Sequence, residues 1–290
     1  MKVLVTGAAG QLGTALRQIA PEGWVFSDIA GDFLHLDITD ATAVKAAVEQ
    51  YQIEAVVNCA GYTNVEAAED SADAAMLLNG TAPGILAAAM KERGGLMLHI
   101  STDYVFGGVP ACRPLKEDAV PAPISVYGRS KLSGEEAVKE SGAKYVIIRT
   151  AWMYSPWGKN FVKTIRALTA TRNSIKVVQD QEGTPTYAPD LAAAILVILE
   201  KYASGAPCCG IYNYTNEGRT NWYRFACEIA RLSGNTSCII TPCSSADFPT
   251  KAARPKYSVL DKTLVKETFG LEIPGWEESL RRCISAILQS

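Results

Sequence analysis

The sequence predicts an α/β protein, in which a doubly wound parallel sheet of the Rossmann type carries a smaller mixed α/β C-terminal part. Three observations support this fold class. Short apolar runs alternate with helical patterns through the first half of the 290 residues. The runs are rich in Val, Ile and Leu with little polar alternation, as expected for strands that are buried on both faces. A glycine-rich turn joins the first run to the first helical pattern.

Each element of the first half follows from a local pattern. Strands are predicted at 2–6, 24–28, 54–60, 96–102 and 145–150. Helices are predicted between them at 12–20, 43–51, 74–92 and 127–141. The second helix follows Thr39 and Asp40, whose side chains are of the types that favour a helix N-terminus.

The pattern changes near residue 150, where aromatic residues, Asn and Pro become frequent. Further helical patterns occur at 160–170, 188–202, 221–233 and 276–288. We therefore expect a sheet domain at 1–150 and a part at 151–290 that packs directly on it. Because no Gly/Ser-rich or Pro-rich linker separates the two, segments near 175–200 are expected to return to the sheet domain.

Composition excludes several classes of function. With 48% hydrophobic residues, the chain can bury a core. With a net charge of −2, it lacks the excess of positive charge that nucleic-acid binding requires. Its longest apolar stretch, 192–199, is too short to span a membrane. The chain enters a strand-like run directly after Met1, and its eight cysteines are then expected to be reduced thiols in the cytoplasm. With two histidines and no Cys-x-x-Cys pair, we expect no metal site.

The turn VTGAAGQLG places Gly7, Gly10 and Gly13 between the first strand and the first helix, with Gln11 and Leu12 in the same loop. Residues without Cβ allow a tight turn and close approach of a pyrophosphate, which the N–H groups of the helix then face. The Gly-x-x-Gly-x-x-Gly spacing departs from the commonest fingerprint, but the strand–turn–helix context is the one that dinucleotide binding requires. The sequence therefore predicts an NAD(P) site, the alternative being a glycine turn without a ligand.

Acidic residues follow the second strand. Asp28 can accept hydrogen bonds from an adenosine ribose and would repel a 2′-phosphate, so we expect NADH or NADPH to bind with NADH slightly favoured. A surface turn is the alternative position for Asp28. Asp37 and Ile38 are second candidates, near the adenine. The end of the third strand is expected to border the same crevice through Ala60, Gly61 and Tyr62.

A Tyr-x-x-x-Lys pair occurs at Tyr127 and Lys131. The pattern is common by chance, but here Tyr127 begins a predicted helix and Lys131 lies one turn later on the same face. A phenol has a pKa of about 10, and a nearby ammonium lowers it towards the range useful for acid–base catalysis. Thr102, at the end of the preceding strand, is expected to lie near Tyr127 across the crevice.

Several motifs together resemble the dTDP-4-dehydrorhamnose reductase family, in the extended branch of the short-chain dehydrogenase/reductase superfamily. The motifs cover the whole chain: TGAAGQLG (6–13), NCAGYTNVEAAE (58–69), LLNGT (77–81), STDYVFGG (101–108), YGRSKLSGE (127–135), RTAWMY (149–154), NFVKT (160–164), DQEGTPT (180–186) and ARP (253–255). The resemblance implies a cytoplasmic enzyme that reduces the C4 keto group of dTDP-4-dehydro-L-rhamnose with NADH or NADPH. It also implies that the C-terminal part binds this nucleotide sugar.

The resemblance implies roles for individual residues. Tyr127 would protonate the new alkoxide, Lys131 would hold the nicotinamide ribose and tune Tyr127, and Thr102 would hydrogen-bond the reacting oxygen. Asn79 would help order a water path to the lysine, although it could equally be an ordinary helix residue. The substrate would also contact Asp103, Trp152, Asn160, Gln181 and Arg254.

Some of these roles have structural alternatives. Trp152 could be a core residue, and Arg254, suited by its guanidinium to a diphosphate, could form a surface ion pair. Gly61 and Tyr62 depart from the Ala and His that are frequent in the family. Relatives that dimerise around Mg²⁺ use glutamates where this chain has Ala15 and Pro189, so we expect a monomer or homodimer without that metal.

Other functions fit the same fold. A sugar-nucleotide dehydratase would be expected to have Thr-Asp-Glu at the positions where this chain has Thr102, Asp103 and Tyr104. The glutamate that would serve as its general acid is therefore missing here. A 4-epimerase or another nucleotide-sugar reductase is a further alternative. A non-catalytic regulatory subunit, like that of methionine adenosyltransferase, shares the fold and the Tyr-x-x-x-Lys pair, and fold alone does not establish activity.

Overall fold

The computed structural model describes residues 1–289. Thirteen strands occur in the described chain: β1 Val3–Thr6, β2 Val25–Asp28, β3 Leu34–His35, β4 Ala55–Asn58, β5 Leu96–Thr102, β6 Lys144–Thr150, β7 Met153–Tyr154, β8 Ser174–Val178, β9 Glu182–Gly183, β10 Thr186–Tyr187, β11 Gly210–Asn213, β12 Thr220–Asn221 and β13 Ile239–Cys243. Seven of them form one parallel sheet in the order β11-β6-β5-β4-β1-β2-β3.

Eleven α-helices connect and cover these strands: α1 Gln11–Ile19, α2 Ala41–Gln50, α3 Val65–Ala68, α4 Ala72–Met76, α5 Ala82–Arg93, α6 Val126–Glu140, α7 Phe161–Thr171, α8 Ala188–Ala203, α9 Trp222–Leu232, α10 Thr263–Phe269 and α11 Trp276–Gln289. None of the helices described is long and apolar enough to cross a membrane. Residues 1–289 also contain no group of three or more His, Cys, Asp or Glu side chains that could hold a metal ion.

Successive side chains of each strand point to opposite sides of the seven-stranded sheet, and both faces are buried because helices cover them. On one face, Val3 and Val5 pack with the residues of α1 and α8. On the other face, Leu4 packs with residues of α2, α5 and α6. The predicted doubly wound Rossmann fold is therefore confirmed. The strand order reverses between β1 and β4, which places a crevice at the carboxyl ends of these strands.

The C-terminal residues form a separate apolar cluster in which α7, α9 and α11 pack around Phe225 and Trp276. The chain also returns to the sheet after residue 150, since β11 pairs with β6 and α8 packs against α1. β11 and the two-residue β3 had no counterpart among the predicted strands. The division of the chain at residue 150 stays a prediction.

The predicted continuous helix at 74–92 is wrong in one respect, because a π-helical turn at Leu77–Thr81 separates α4 from α5. The turn contains Asn79, whose side chain is completely buried and hydrogen-bonded, and Gly80, which lies against α6. A Cβ on Gly80 would come within 3.0 Å of the Ser133 hydroxyl oxygen of α6. Single π turns inside helices are frequent at functional sites.

Helix α6 is fixed to the sheet by a buried ion pair. Arg149 of β6 donates from Nη2 to Glu135 Oε2 at 2.7 Å and from Nε to Oε1 at 3.0 Å. Ser101 of β5 donates to Glu135 Oε1 at 2.5 Å. The side chains of the pair are only 3% and 0% exposed. Because a buried charge must keep its partner, this pair sets the position of α6 relative to β5 and β6.

The variant Arg149→Leu is expected to lower the free energy of unfolding by about 3–5 kcal/mol, because it leaves the Glu135 carboxylate buried without its partner. Urea unfolding followed by circular dichroism at neutral pH measures the loss. The double variant Arg149→Leu with Glu135→Leu is the matched control, and it should regain much of the lost stability. A single variant as stable as the double would show that the pair does not hold α6.

Candidate active site

A cleft of about 760 Å³ lies at the carboxyl ends of the sheet strands, where the strand order reverses. Most of the predicted site residues line it: Gly7, Gly10, Gln11, Leu12, Gly13, Asp28, Asp37, Ile38, Ala60, Gly61, Asn79, Thr102, Asp103, Tyr127, Lys131 and Trp152. The predicted residues Tyr62, Asn160, Gln181 and Arg254 are not among the residues that line it. A second depression of about 810 Å³ lies at the amino ends of the strands, next to Glu54 and Lys144, and none of the predicted site residues lines it.

The glycine loop has no room for side chains. Gly7 has φ +71°, and a Cβ there would lie 2.6 Å from the backbone nitrogen of Ala60. A Cβ on Gly13 would lie 2.3 Å from the Gly7 carbonyl oxygen. Gly10 precedes α1 and has no side chain to cap the first N–H groups of the helix. These N–H groups can therefore receive an anion, and the loop fits the diphosphate of a dinucleotide.

Two carboxylates, those of Asp28 and Asp37, line the cleft. Asp28 accepts hydrogen bonds from the backbone nitrogens of Ala9, at 2.9 Å, and Ile29, at 2.8 Å, so it also holds the glycine loop. Asp37 accepts from the nitrogen and hydroxyl of Thr39 at 2.9 and 2.7 Å. The bonds from Thr39 lower the pKa of the Asp37 carboxyl.

Tyr127 meets Thr102 and Asp103 at the end of β5. Ser125 precedes α6 and its hydroxyl accepts from the Gly128 nitrogen, and Tyr127 in the first turn of the helix lines the cleft. Burial raises the pKa of Tyr127 to about 12, and the Asp103 charge adds to the rise, although a hydrogen bond with Thr102 opposes it. A phenol with this pKa is protonated at neutral pH, as a proton donor must be.

Lys131 lies one turn further along α6 and is only 5% exposed. Its Nζ donates to the carbonyl oxygen of Ile100 at 2.6 Å and lies 3.3 Å from His99 Nε2. Burial lowers the pKa of Lys131 to about 8, while the charge of Glu135 opposes the fall. A lowering of the Tyr127 pKa by Lys131 stays a prediction. Burial lowers the pKa of Lys131, whereas the pKa of Tyr127 is raised.

Sequence reasoning missed His99 and Glu135. The signal for Glu135 was its spacing, because Tyr127, Lys131 and Glu135 recur every four residues and share one face of α6. The signal for His99 was a histidine inside an apolar strand that ends at Thr102.

Asn79 joins the loop after β4 to α6. Its Oδ1 accepts from the Tyr62 nitrogen at 2.8 Å, and its Nδ2 donates to the Tyr62 carbonyl oxygen and the Ser130 hydroxyl, each at 3.0 Å. A Cβ on Gly61 would lie 2.9 Å from Asn79 Oδ1, so the glycine leaves room for this contact. These bonds position the loop, and a role for Asn79 in a water path stays a prediction.

Trp152 lines the cleft and has a strained backbone, with φ +50°. Its ring stacks on Trp222 with centroids 3.6 Å apart and planes 14° apart. Gln181 accepts from Trp222 Nε1 at 3.1 Å and donates to the Ser245 hydroxyl at 2.9 Å. Gln181 therefore supports the aromatic pair from behind. Trp222 lies outside all the motifs used in the sequence prediction.

Asn160 and Arg254 are both held by other side chains. Asn160 caps α7 and donates from Nδ2 to Gln11 Oε1 at 3.0 Å, which ties this helix to the glycine loop. Arg254 donates to Glu66 Oε1 at 2.8 Å, and together with backbone N–H groups this bond lowers the pKa of Glu66 despite its partial burial. Binding of a substrate by Asn160, Gln181 and Arg254 stays a prediction.

The combination of a Rossmann sheet, a glycine loop and a Tyr-x-x-x-Lys pair in one cleft is that of the short-chain dehydrogenase/reductase class. Residues 1–289 match the family model described as the RmlD substrate binding domain. The chain belongs to this family.

Individual relatives agree with this membership. The chain is 38% identical to the dTDP-4-dehydrorhamnose reductase of Burkholderia thailandensis over 99% of each protein. It is similar to the crystal structure of a dTDP-4-dehydrorhamnose reductase from Clostridium acetobutylicum, with a TM-score of 0.92, 40% identity and 100% of each chain covered. It is also similar to the enzyme of that name from Bacillus anthracis in complex with NADP, with a TM-score of 0.90, 37% identity, and 98% and 99% of the two chains covered. The family predicted from the motifs is confirmed.

The variant Asp103→Asn tests the electrostatics of the cleft. Burial raises the pKa of Asp103 from an ordinary 3.8 to about 6, so the folded protein binds this proton more tightly than the unfolded chain does. Wild-type stability should therefore fall, relative to the variant, as the pH rises from about 4 to 6, and the difference should stay constant above that range. Urea unfolding of both proteins across this range measures it.

The control for this prediction is Asp37→Asn, because the pKa of Asp37 is lowered in the folded state. Its pH dependence should have the opposite sign, with wild-type stability rising relative to the variant as the pH rises through the titration of Asp37. An Asp103→Asn difference that does not change with pH would show that Asp103 titrates normally.

Proposed function

We propose that this protein reduces the C4 keto group of dTDP-4-dehydro-L-rhamnose with NADH or NADPH and so produces dTDP-L-rhamnose. The observation that carries the proposal is the meeting of Thr102, Tyr127 and Lys131 beside the glycine loop in one cleft. The names of the relatives, dTDP-4-dehydrorhamnose reductase, support this substrate. The cytoplasmic location and the monomeric or dimeric state remain predictions from the sequence.

The cofactor would be held by the glycine loop and the N-terminus of α1, with its adenosine end near Asp28 and Asp37. When bound, it would supply the hydride for C4. Lys131 would hold the nicotinamide ribose, and the end of β4, at Ala60 and Gly61, would border the cofactor. The close packing supports this fit, since a Cβ on Gly7 would collide with the backbone of Ala60 and one on Gly13 with the Gly7 carbonyl oxygen, so the tight turn of the loop requires glycine at both positions.

The residues of the chain would divide the remaining chemistry between them. Thr102 would hydrogen-bond the C4 oxygen, and Tyr127 would give that oxygen its proton as the alkoxide forms. Trp152 would lie against the deoxysugar, where an aromatic face gives apolar contact and orientation. Arg254 would need to leave Glu66 or bind beside it to contact the diphosphate, because the two side chains are paired at 2.8 Å.

The deciding experiment is an absorbance assay of NADH and NADPH oxidation with enzymatically generated dTDP-4-dehydro-L-rhamnose, with the product sugar identified. Oxidation that yields dTDP-L-rhamnose supports the proposal and ranks the two cofactors. Folded protein that binds cofactor but oxidises neither one would favour the regulatory alternative or a different sugar.

Tyr127→Phe is expected to lower turnover by about two orders of magnitude or more, because the variant lacks the proton donor. Calorimetric titration should show that cofactor binding is retained. Tyr104→Phe is the matched control. The Tyr104 ring packs edge to face against the Tyr127 ring, with centroids 5.3 Å apart, and Tyr104 also lines the cleft. Equal losses in both variants would contradict the assignment of the proton donor to Tyr127.

Asp28→Asn is expected to shift the ratio of the NADPH and NADH dissociation constants by about tenfold in favour of NADPH, or about 1.4 kcal/mol. The amide no longer repels a 2′-phosphate, and its oxygen can still accept from Ala9. Calorimetric titration with both cofactors measures the ratio, and Asp37→Asn serves as the comparison. If the ratio of the dissociation constants changed only in the Asp37 variant, the adenosine ribose would be assigned to Asp37 and not to Asp28.

A further inference from the structure

We propose that His99 is a positioning residue for Lys131, and that its ring N–H stabilises the neutral amine so that the lysine releases its proton readily. The catalytic meaning of this inference rests on the proposed function. Its first test needs neither substrate nor cofactor, so the two proposals can fail separately.

His99 lies in the middle of β5 and is completely buried between two polar side chains. Its Nδ1 is 3.1 Å from Asn58 Nδ2, and its Nε2 is 3.3 Å from Lys131 Nζ. Each ring nitrogen therefore has one partner. Which nitrogen carries the proton is determined by the partner whose hydrogen-bonding role is fixed.

The role of Asn58 is fixed by the backbone. Its Oδ1 accepts from the Ala60 backbone nitrogen at 3.2 Å and from the Thr6 hydroxyl at 2.6 Å. Because a backbone N–H can only donate, the oxygen of the amide must face Ala60 and the NH₂ group must face His99. The NH₂ group donates, so His99 Nδ1 accepts and carries no proton.

The proton of the neutral His99 ring is then on Nε2 and faces Lys131. An ammonium group has only donors, so a charged Lys131 would place N–H against N–H. A neutral amine has a lone pair, which can accept from Nε2–H while one of its own hydrogens is donated to the Ile100 carbonyl oxygen at 2.6 Å. The contact therefore favours the neutral amine.

The other groups around Lys131 differ in whether they favour its charged ammonium form or its neutral amine form. Glu135, on the same helix, favours the ammonium, but its carboxylate is already paired with Arg149 and bonded to Ser101. Cys59, at the end of β4, is a neutral thiol because burial raises its pKa to about 12. Burial of Lys131 itself disfavours the charge, and His99 acts in the same direction as burial.

The consequence for catalysis concerns the proton that Tyr127 gives away. After the phenol protonates the alkoxide, the phenolate oxygen must regain a proton, which can come from Lys131 Nζ through intervening hydroxyl groups or water. The neutral amine then takes a proton from solvent water. A lysine whose pKa lies near the working pH can do both, whereas an unperturbed lysine is a weaker donor.

The first experiment is ¹⁵N NMR of protein labelled with [¹⁵N]histidine, which is simple because the chain has only two histidines. The variant His35→Gln assigns the spectrum, since it removes the exposed histidine. The expected result is a neutral His99 with the proton on Nε2 and none on Nδ1 from about pH 6 to 9. A proton on Nδ1, or a charged ring within this range, overturns the proposal.

The second experiment changes the hydrogen-bonding role of the ring. In Asn58→Asp, the new carboxylate can accept from Nδ1–H, which leaves the Nε2 lone pair to accept from the ammonium. In His99→Gln, the side-chain oxygen can face the ammonium in the same way. Both variants should raise the pH at which Lys131 titrates by about one unit or more.

Two readouts follow the titration of Lys131. The ¹³Cε shift of labelled lysine, assigned with Lys131→Met, needs no turnover. With the proposed substrate, the alkaline limb of kcat/KM should move up by the same amount, while His35→Gln leaves it unchanged. An unchanged titration in both variants overturns the proposal. If neither variant folds, the position of the wild-type His99 proton decides alone.

Discussion

The amine of Lys131 is buried between α6 and β5, and the arrangement of the cleft depends on this constraint. The amine donates to the carbonyl oxygen of Ile100, and the carboxylate of Glu135 lies one turn further along the helix. Glu135 is itself completely buried and requires Arg149. Glu135 thus acts electrostatically on Lys131 at the cleft and pairs directly with Arg149 in the sheet. Since Tyr127, Lys131 and Glu135 share one helical face, fixing Glu135 also fixes the height of Tyr127 at the end of β5.

The cofactor side of the cleft is tied to the same framework by direct contacts. Gly7 approaches the backbone after β4 so closely that a side chain would not fit. Asn79 connects that same segment to α6 through Ser130. On the other side, Gln11 of the glycine loop accepts from Asn160 at the beginning of α7. The loop that would hold the diphosphate is therefore connected both to the helix of Tyr127 and to the C-terminal part.

The sequence predicted the parts of the protein that depend on local patterns. The strand at 96–102 was predicted with its observed bounds, and the helix at 127–141 within one residue. Both predictions succeeded because the apolar residues of a buried strand, and those on the buried face of a helix, recur in the sequence at a characteristic spacing. The π turn at 77–81 depends on partners of Asn79 in two distant segments. Likewise, Arg254 pairs with Glu66, 188 residues away, and Trp222 stacks on Trp152, which lies far from it in the sequence. Local patterns contain no information on such pairs.

The pKa values of Tyr127 and Lys131 on α6 are shifted in opposite directions, which would set the order of proton transfer in the proposed reaction. Burial and Asp103 raise the pKa of Tyr127, so in the proposed reaction the phenol would keep its proton until a stronger base, the alkoxide, formed next to Thr102. Burial lowers the pKa of Lys131, so this group releases its proton more easily than the tyrosine. A phenolate left by the reaction is then a stronger base than the lysine amine. In the proposed reaction the proton would therefore move from the lysine to the tyrosine, because the separation of the two pKa values favours transfer in that direction.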